Sequence, residues 1–120
     1  MVELSDPSRV AIVAPDGVFT YGDLDLASRR VAAALLGGHR DLDEARVAFL
    51  EPPGFGYPAV QKGIWRAGGV AVPLCVSHPP AELEYVIRDS GAAWVVANAM
   101  HRDALEPVAT AAGVRLVTTA

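Results

Sequence analysis

Gly54-Phe55-Gly56-Tyr57-Pro58-Ala59 carries the spacing G-x-G-x-x-A between an apolar run and a helical pattern. In that setting glycines let a backbone approach a dinucleotide pyrophosphate at a helix N-terminus. Three features argue against it here. Glu51-Pro52-Pro53 separates the run from the first glycine, Pro58 removes an N–H that would face the pyrophosphate, and no acid ends the next strand to hold a ribose. The plainer reading is a glycine-rich connection; a small-molecule-binding α/β domain using Gly54 to Ala59 is carried as a third-ranked reading. No glycine-rich run leads into a lysine followed by Ser or Thr, as a Walker-type phosphate loop requires, and Lys62, the only lysine, falls inside a helical stretch. Arg66 and Arg88 could each meet a phosphate singly, with no loop to orient it.

His39, His78 and His101 are far apart and none stands at metal-ligand spacing from Cys75 or a carboxylate motif, so no metal site is expected. His78 has a strand-end address from which a side chain can line a pocket, but its immediate setting, His-Pro-Pro, reads as a helix entry. Cys75 reads as a small core hydrophobe at the end of a buried strand, without a neighbouring charge to activate its thiol. Asp23, Asp25, Glu82 and Glu84 read as first-turn acids that complement helix dipoles. Ser5, Ser8 and Ser28 lack a nucleophile-elbow setting. No catalytic residue is expected, and the cofactor-binding residues are left unassigned.

The elements that must position these groups are well marked. Val10 to Ala14, the turn Pro15-Asp16-Gly17 and Val18-Phe19 read as a small hairpin that could add an antiparallel edge to a sheet. Thr20 caps a helix with Asp23 three residues on, a capping box with Asp in place of Glu. Leu24, Ala27, Val31, Ala34 and Leu35 give that helix a core-facing stripe, closed by Gly37-Gly38. Arg46 to Leu50 is an apolar strand; Tyr57 to Arg66 is a helix with Val60, Ile64 and Trp65 inward. Ala67-Gly68-Gly69 ends it, with a left-handed backbone expected at Gly69. Val70 to Val76 reads as a strand covered on both faces and limited by Pro73. Leu83, Val86 and Ile87 mark a helix that Gly91 stops. Trp94 to Ala97, Arg102 to Ala112 and Val114 to Thr118 supply a strand, an alanine-rich helix and a last strand. The alternation predicts a layered α/β fold with a mainly parallel sheet, residues 1–120 forming one domain. Ligands of such sheets bind beyond the strands' carboxyl ends, here Leu50 to Gly56, Leu74 to Pro79 and Ala97 to His101.

Composition narrows the partners. The hydrophobic fraction of 52% and mean hydropathy of +0.28 are high for a soluble domain, so either the core is unusually complete or an apolar face awaits a partner, a second copy of the chain in a homo-oligomer among them. A net charge of -4 with interspersed signs leaves no electrostatic footprint for nucleic acid. The longest uncharged stretch, Ala67 to Ala81, is broken by Gly and Pro and too short to span a membrane, and the N-terminus has acids where a signal peptide needs bases. The single cysteine excludes an internal disulfide framework, and the expected location is cytoplasmic.

Phe19-Thr20-Tyr21-Gly22-Asp23-Leu24 and Ile64-Trp65-Arg66-Ala67-Gly68-Gly69-Val70-Ala71-Val72-Pro73-Leu74, in this order and separation, resemble the first two core motifs of the adenylate-forming enzymes. This superfamily contains acyl-CoA synthetases, luciferases and peptide-synthetase adenylation domains. Glu82 to Ala92 is similar to the segment that follows in acyl-CoA synthetases, so the resemblance covers nearly the whole chain. Within the family, GGVAVPL followed by HPPAELEYVIRDS looks most like malonyl-CoA synthetases. The resemblance implies the N-terminal subdomain of the acyl-CoA synthetase fold. It implies activation of a carboxylate with ATP as an acyl-adenylate and transfer to the thiol of CoA, with magnesium, by the full-length enzyme. The family's phosphate loop ending in Pro-Lys, its magnesium-associated Glu, its ribose-binding Asp and its C-terminal-domain Lys are expected beyond this chain. The chain alone is therefore expected to be an inactive scaffold whose partner is the remainder of the synthetase. The rival reading is a stand-alone protein-interaction module derived from the same fold.

Overall fold

The structure, a computed structural model, describes residues 6–119; the readings of Ser5 and of the charge pattern before it lie outside that range. Ten elements follow in order. They are strands β1 (Val10–Ala14) and β2 (Gly17–Thr20), helix α1 (Tyr21–Leu36), strand β3 (Arg46–Leu50), helix α2 (Gly56–Arg66), strand β4 (Val70–Pro73), helix α3 (Pro80–Ser90), strand β5 (Trp94–Asn98), helix α4 (Arg102–Ala112) and strand β6 (Arg115–Thr119). Strands β4-β3-β5-β6 form a four-stranded sheet in which every pairing is parallel. The expected α/β fold with a parallel sheet is what the chain adopts. The hairpin β1–β2 is antiparallel but does not add an edge to that sheet; it forms a two-stranded sheet of its own.

The sheet is covered on both faces, and the alternation of side chains along a strand divides the core in two. Val47 and Phe49 of β3 and Val96 of β5 point to the face of α1 and α2, where they meet Val31, Leu35, Val60 and Ile64. Ala48, Leu50, Val95 and Ala97 point the other way, against Leu83 and Ile87 of α3 and Leu105 and Val108 of α4. The central strands β3 and β5 are therefore the ones apolar on both faces. The sequence assigns that role to Val70–Val76 as well, and there the structure differs: β4 stops at Pro73, lies at the sheet's edge, and leaves Val70 and Val76 exposed. An apolar run reads alike at an edge and a centre, because sequence carries no record of the missing neighbour.

Local signals set the helix ends. Thr20 Oγ1 accepts from the Asp23 amide at 3.1 Å and Asp23 Oδ2 accepts from the Thr20 amide at 2.9 Å, the reciprocal box that satisfies two orphan donors of α1. The buried face of α1 is Leu24, Ser28, Val31, Ala32 and Leu35. Ala34 is exposed and Ala27 only half-buried, because the larger Leu24, Val31 and Leu35 set the helix rotation. Trp65, expected inward, is 55% exposed; Val60, Gly63 and Ile64 already make the face of α2 that meets the core.

The end of α2 is a Schellman motif, in which the Gly68 amide donates to the Trp65 carbonyl at 2.9 Å and the Gly69 amide to the Ile64 carbonyl at 2.9 Å. Its left-handed residue is the first one past the cap, so Gly68 takes φ 84 and Gly69 is not among the positive-φ positions. The expectation of a left-handed Gly69 is thus displaced by one residue. Gly69 is small for a different reason. A Cβ there would come to 3.0 Å from Ile64 Cγ2, 3.1 Å from Leu42 Cδ1 and 3.2 Å from the Ala45 carbonyl.

Candidate functional site

The C-terminal ends of β3, β5 and β6 converge on Glu51, the first residue after β3. The residue is only 6% exposed. Asn98, the last residue of β5, donates from Nδ2 to Glu51 Oε2 at 3.2 Å. Thr119, the last residue of β6, has its hydroxyl 3.4 Å from Glu51 Oε1 and 3.4 Å from the Ala97 carbonyl. The network continues to His101, whose Nδ1 lies 2.9 Å from Asn98 Oδ1 and whose amide donates to the same oxygen at 3.0 Å. Burial pushes the Glu51 carboxyl above its ordinary value; the hydrogen bonds from Asn98 and Thr119 and the proximity of His101 oppose that shift without reversing it.

Two clefts open on either side of this carboxylate. One, of about 370 Å³, runs between α1, the start of α2 and β6, with Ala27, Arg30, Val31, Phe55 and Val117 in its lining. The other, of about 400 Å³, lies under the hairpin turn, with Pro15, Asp16, Pro52, Phe55, Asn98 and Met100 around it. Glu51, Phe55, Gly56 and Thr119 belong to both. The hairpin is fastened over this end of the sheet by Phe19, whose ring stacks on Phe55 with centroids 4.1 Å apart, and by Asp16 Oδ1, 3.4 Å from the Phe55 amide.

This geometry decides the fate of the G-x-G-x-x-A segment. A Cβ on Gly56 would lie 2.6 Å from Glu51 Oε2, and one on Gly54 would lie 3.3 Å from Asp16 Oδ1. The glycines make room for the chain's own carboxylates. A pyrophosphate seated at the start of α2 would meet two acidic groups, and Pro58 and a helix entry without a side-chain cap offer it little in return. The residues present do not fit a nucleotide there.

The other sequence candidates are dispersed. His78 is exposed, with Nε2 3.6 Å from Glu82 Oε2, which fits a helix entry rather than a pocket wall; His39 is exposed. Cys75 is a correction. Because β4 ends at Pro73, Cys75 lies in the following loop and is exposed, its Sγ 3.0 Å from Ser77 Oγ; that hydrogen bond draws its thiol below the ordinary value. Arg66 pairs with Asp25 at 2.6 Å, and Arg88 pairs with Glu84 at 2.9 Å and also reaches the Ala111 carbonyl. Asp25 also pairs with Arg29 at 2.9 Å, so two of the acids assigned to helix dipoles serve ion pairs instead. Of the strand-end segments marked by sequence, Leu50 to Gly56 and Ala97 to His101 come together, whereas Leu74 to Pro79 leads off from the edge strand. Glu51 itself reads in the sequence only as a spacer. The available signal was its address, a carboxylate directly after four buried residues at a strand's carboxyl end.

A parallel α/β unit preceded by this hairpin, with its two motifs at Phe19–Leu24 and Ile64–Leu74, defines a class: the chain belongs to the AMP-binding enzyme family, which it matches over residues 4–119. Among characterised proteins it is similar to the mitochondrial malonate–CoA ligase ACSF3 of Xenopus laevis, with 41% identity over 115 residues, 92% of this chain and 20% of that one. It is also similar to the malonate–CoA ligase of Arabidopsis thaliana, with 31% identity over 121 residues, 89% of this chain and 20% of that one. Among solved structures, ATP-bound MatB from Rhodopseudomonas palustris aligns with a TM-score of 0.79 and 30% identity over 97% of this chain and 23% of its own. The expected likeness to acyl-CoA synthetases of the malonyl type holds, as does the fold it implied. The chain spans about a fifth of the length of the curated relatives it matches.

Proposed function

We propose that this chain is the N-terminal scaffold of an ATP-dependent acyl-CoA synthetase whose acid is malonate. In such a synthetase the carboxylate and ATP give an acyl-adenylate and pyrophosphate, and CoA then displaces AMP to give the acyl-CoA. The observation that carries the reading is the 41% identity with a malonate–CoA ligase across 92% of the chain. The strand-end geometry supports the division of labour. Adenylation needs cations and donors fixed around phosphates, and the converging end of this sheet presents Glu51 and Asp16 instead.

On this reading the chain alone holds no catalytic residue and no metal site and binds neither ATP nor CoA. Its rigid, doubly covered sheet supports the remainder of the synthetase, in the same or a separate polypeptide. We place it in a reducing compartment, the cytoplasm; the mitochondrial name of the Xenopus relative raises the mitochondrion as the competing address. Among the described residues no helix is long and apolar enough to cross a membrane. The test is ATP–pyrophosphate exchange with malonate, acetate and longer acids, beside calorimetry with ATP and magnesium. The expected result is silence from the chain alone and exchange, greatest with malonate, once the downstream polypeptide is supplied. Exchange by the purified chain would refute the scaffold assignment.

A second reading, a stand-alone interaction module, draws on Val13 and Val18, which face each other across the hairpin and are 78% and 61% exposed. The reading frame downstream of the Ala120 codon discriminates: one that encodes the rest of a synthetase favours the scaffold.

A further inference from the structure

The Asn98 carboxamide has one permitted orientation. Its Oδ1 accepts from the His101 amide at 3.0 Å, so Nδ2 is the end that meets Glu51 Oε2, at 3.2 Å. His101 Nδ1, 2.9 Å from the same Oδ1, faces an atom that only accepts and must carry a hydrogen. It carries that hydrogen in the neutral and in the charged imidazole, so titration of His101 leaves these contacts unchanged. The other end of the run is different. Thr119 Oγ1 lies 3.4 Å from Glu51 Oε1 and 3.4 Å from the Ala97 carbonyl, two acceptors for one hydroxyl hydrogen when Glu51 is ionised. A proton on Oε1 resolves the conflict. Oε1 then donates to the hydroxyl oxygen, the hydroxyl donates to Ala97, Oε2 accepts from Asn98, and no charge is left on the carboxyl.

We propose that Glu51, Asn98, His101 and Thr119 form a pH-sensitive latch across the carboxyl ends of β3, β5 and β6 and the start of α4, closed when Glu51 is protonated and loosened at Thr119 when it ionises. The latch is made of this chain's own residues and stands whether or not the malonate reading holds. Ionisation does more than remove one hydrogen bond. Among the described residues Glu51 forms no ion pair, and a charge held out of water without a partner draws water in, here from the clefts on either side of it.

Three titratable side chains face Glu51. Asp16, on the hairpin turn, lines one cleft and disfavours a second negative charge. Arg30, on α1, lines the other, and His101 stands behind Asn98; each favours ionisation when it is positive. The α2 residues in that lining, Gly56, Ala59 and Val60, carry no titratable group. Burial outweighs the favourable charges, and the carboxyl titrates above its ordinary 4.5. The folded chain therefore holds this proton more tightly than the unfolded chain, and the latch is fully closed below the ordinary value and lost as pH rises through the folded pKa.

The test follows the Glu51 carboxyl carbon by NMR from about pH 3 to about pH 8, a range that spans carboxylate and histidine titration. Amide hydrogen exchange over β6 and the first turn of α4 is read in the same samples, relative to unstructured chain at each pH. The expected result is a Glu51 midpoint above 4.5, with the Asn98 side-chain amide and Thr119 signals moving at the same midpoint. Protection at the end of β6 should fall roughly fivefold through it, the weight of one hydrogen bond. Glu51→Gln presents an amide N–H where the protonated acid presents its O–H, so it should keep the latched protection at every pH. Thr119→Val removes the hydroxyl while Glu51 stays buried; the carboxyl should still titrate high, but the step in β6 protection should vanish, which a merely structural Thr119 would not cause. A native-like spectrum qualifies each variant, and the wild-type titration with Thr119→Val decides even where Glu51→Gln does not fold. A wild-type midpoint at or below 4.5, β6 protection that is level through the midpoint, or an unchanged step in Thr119→Val overturns the proposal.

Discussion

Replacing Gly63 by alanine tests the packing of α1 against α2 at a point with no room for a Cβ. Gly63 lies inside α2, where glycine ordinarily costs about 1 kcal/mol relative to alanine, so on a free helix the substitution would stabilise. Here α1 crosses it. A Cβ at Gly63 would stand 2.5 Å from Val31 Cβ, 2.6 Å from Val31 Cγ1 and 2.9 Å from the Ser28 carbonyl oxygen. None of these is the loose end of a long side chain; two are fixed by the α1 backbone. The helices must move apart, and overpacking of this kind costs about 1–3 kcal/mol, the upper part applying when backbone has to shift. Setting about 3 against the propensity gain of about 1 leaves a net loss of about 2 kcal/mol. For a domain of this size that lowers Tm by roughly 8 °C, at about 4 °C per kcal/mol. Calorimetric melting of wild type and Gly63→Ala at matched concentration reads it directly. A Tm equal to or above wild type would show that α1 and α2 are not in contact at Gly63, and the packing of that whole face would have to be redrawn.

Glu51→Gln should flatten the pH dependence of stability. The folded carboxyl titrates above its ordinary value of 4.5, so the native state holds the proton more tightly than the unfolded chain. The stability this group contributes is complete below about that value and is lost as pH rises through the folded pKa. Melts across the acid-to-neutral range should therefore show wild type falling relative to Glu51→Gln with rising pH; parallel curves would contradict the burial argument. Thr20→Ala removes the hydroxyl that accepts from Asp23 and should cost about 1 kcal/mol, read as a shift in urea midpoint at unchanged slope.

The legible parts of this fold were those set by neighbours in sequence. Thr20 and Asp23 are three residues apart, and their mutual bonds are the ones the spacing foretold. Gly91 stops its helix with positive φ, as its place in the sequence pattern foretold. What sequence did not carry were facts that depend on distant chain. Whether an apolar run such as Val70–Val76 is central or marginal depends on a strand that is absent beside it. Whether Trp65 or Gly63 faces inward depends on where α1 crosses, and that crossing is set by Val31 and Ser28, more than thirty residues earlier. The same limit hid the candidate site. Glu51, Asn98 and Thr119 stand far apart in the chain and share no spacing motif. They meet because three parallel strands end at one level, a consequence of register, with Leu50 beside Ala97 and Asn98 beside Thr119.

That common level also decides which groups of the chain itself occupy the strand ends of this sheet. In an open α/β sheet the carboxyl ends of the strands are the natural place for a ligand, and the helix that follows β3 would bring its positive end there. In this chain the position is taken by the protein itself. Glu51 lies against Gly56 at the first turn of α2, Asp16 reaches the Phe55 amide from the hairpin, and the two carboxylates set the field of the strand ends. A phosphate placed there would meet two carboxylates and no cation from the lining of the cleft. The glycines of the segment are required under either reading of it, and the anions they accommodate in this structure are side chains, Glu51 beside Gly56 and Asp16 beside Gly54.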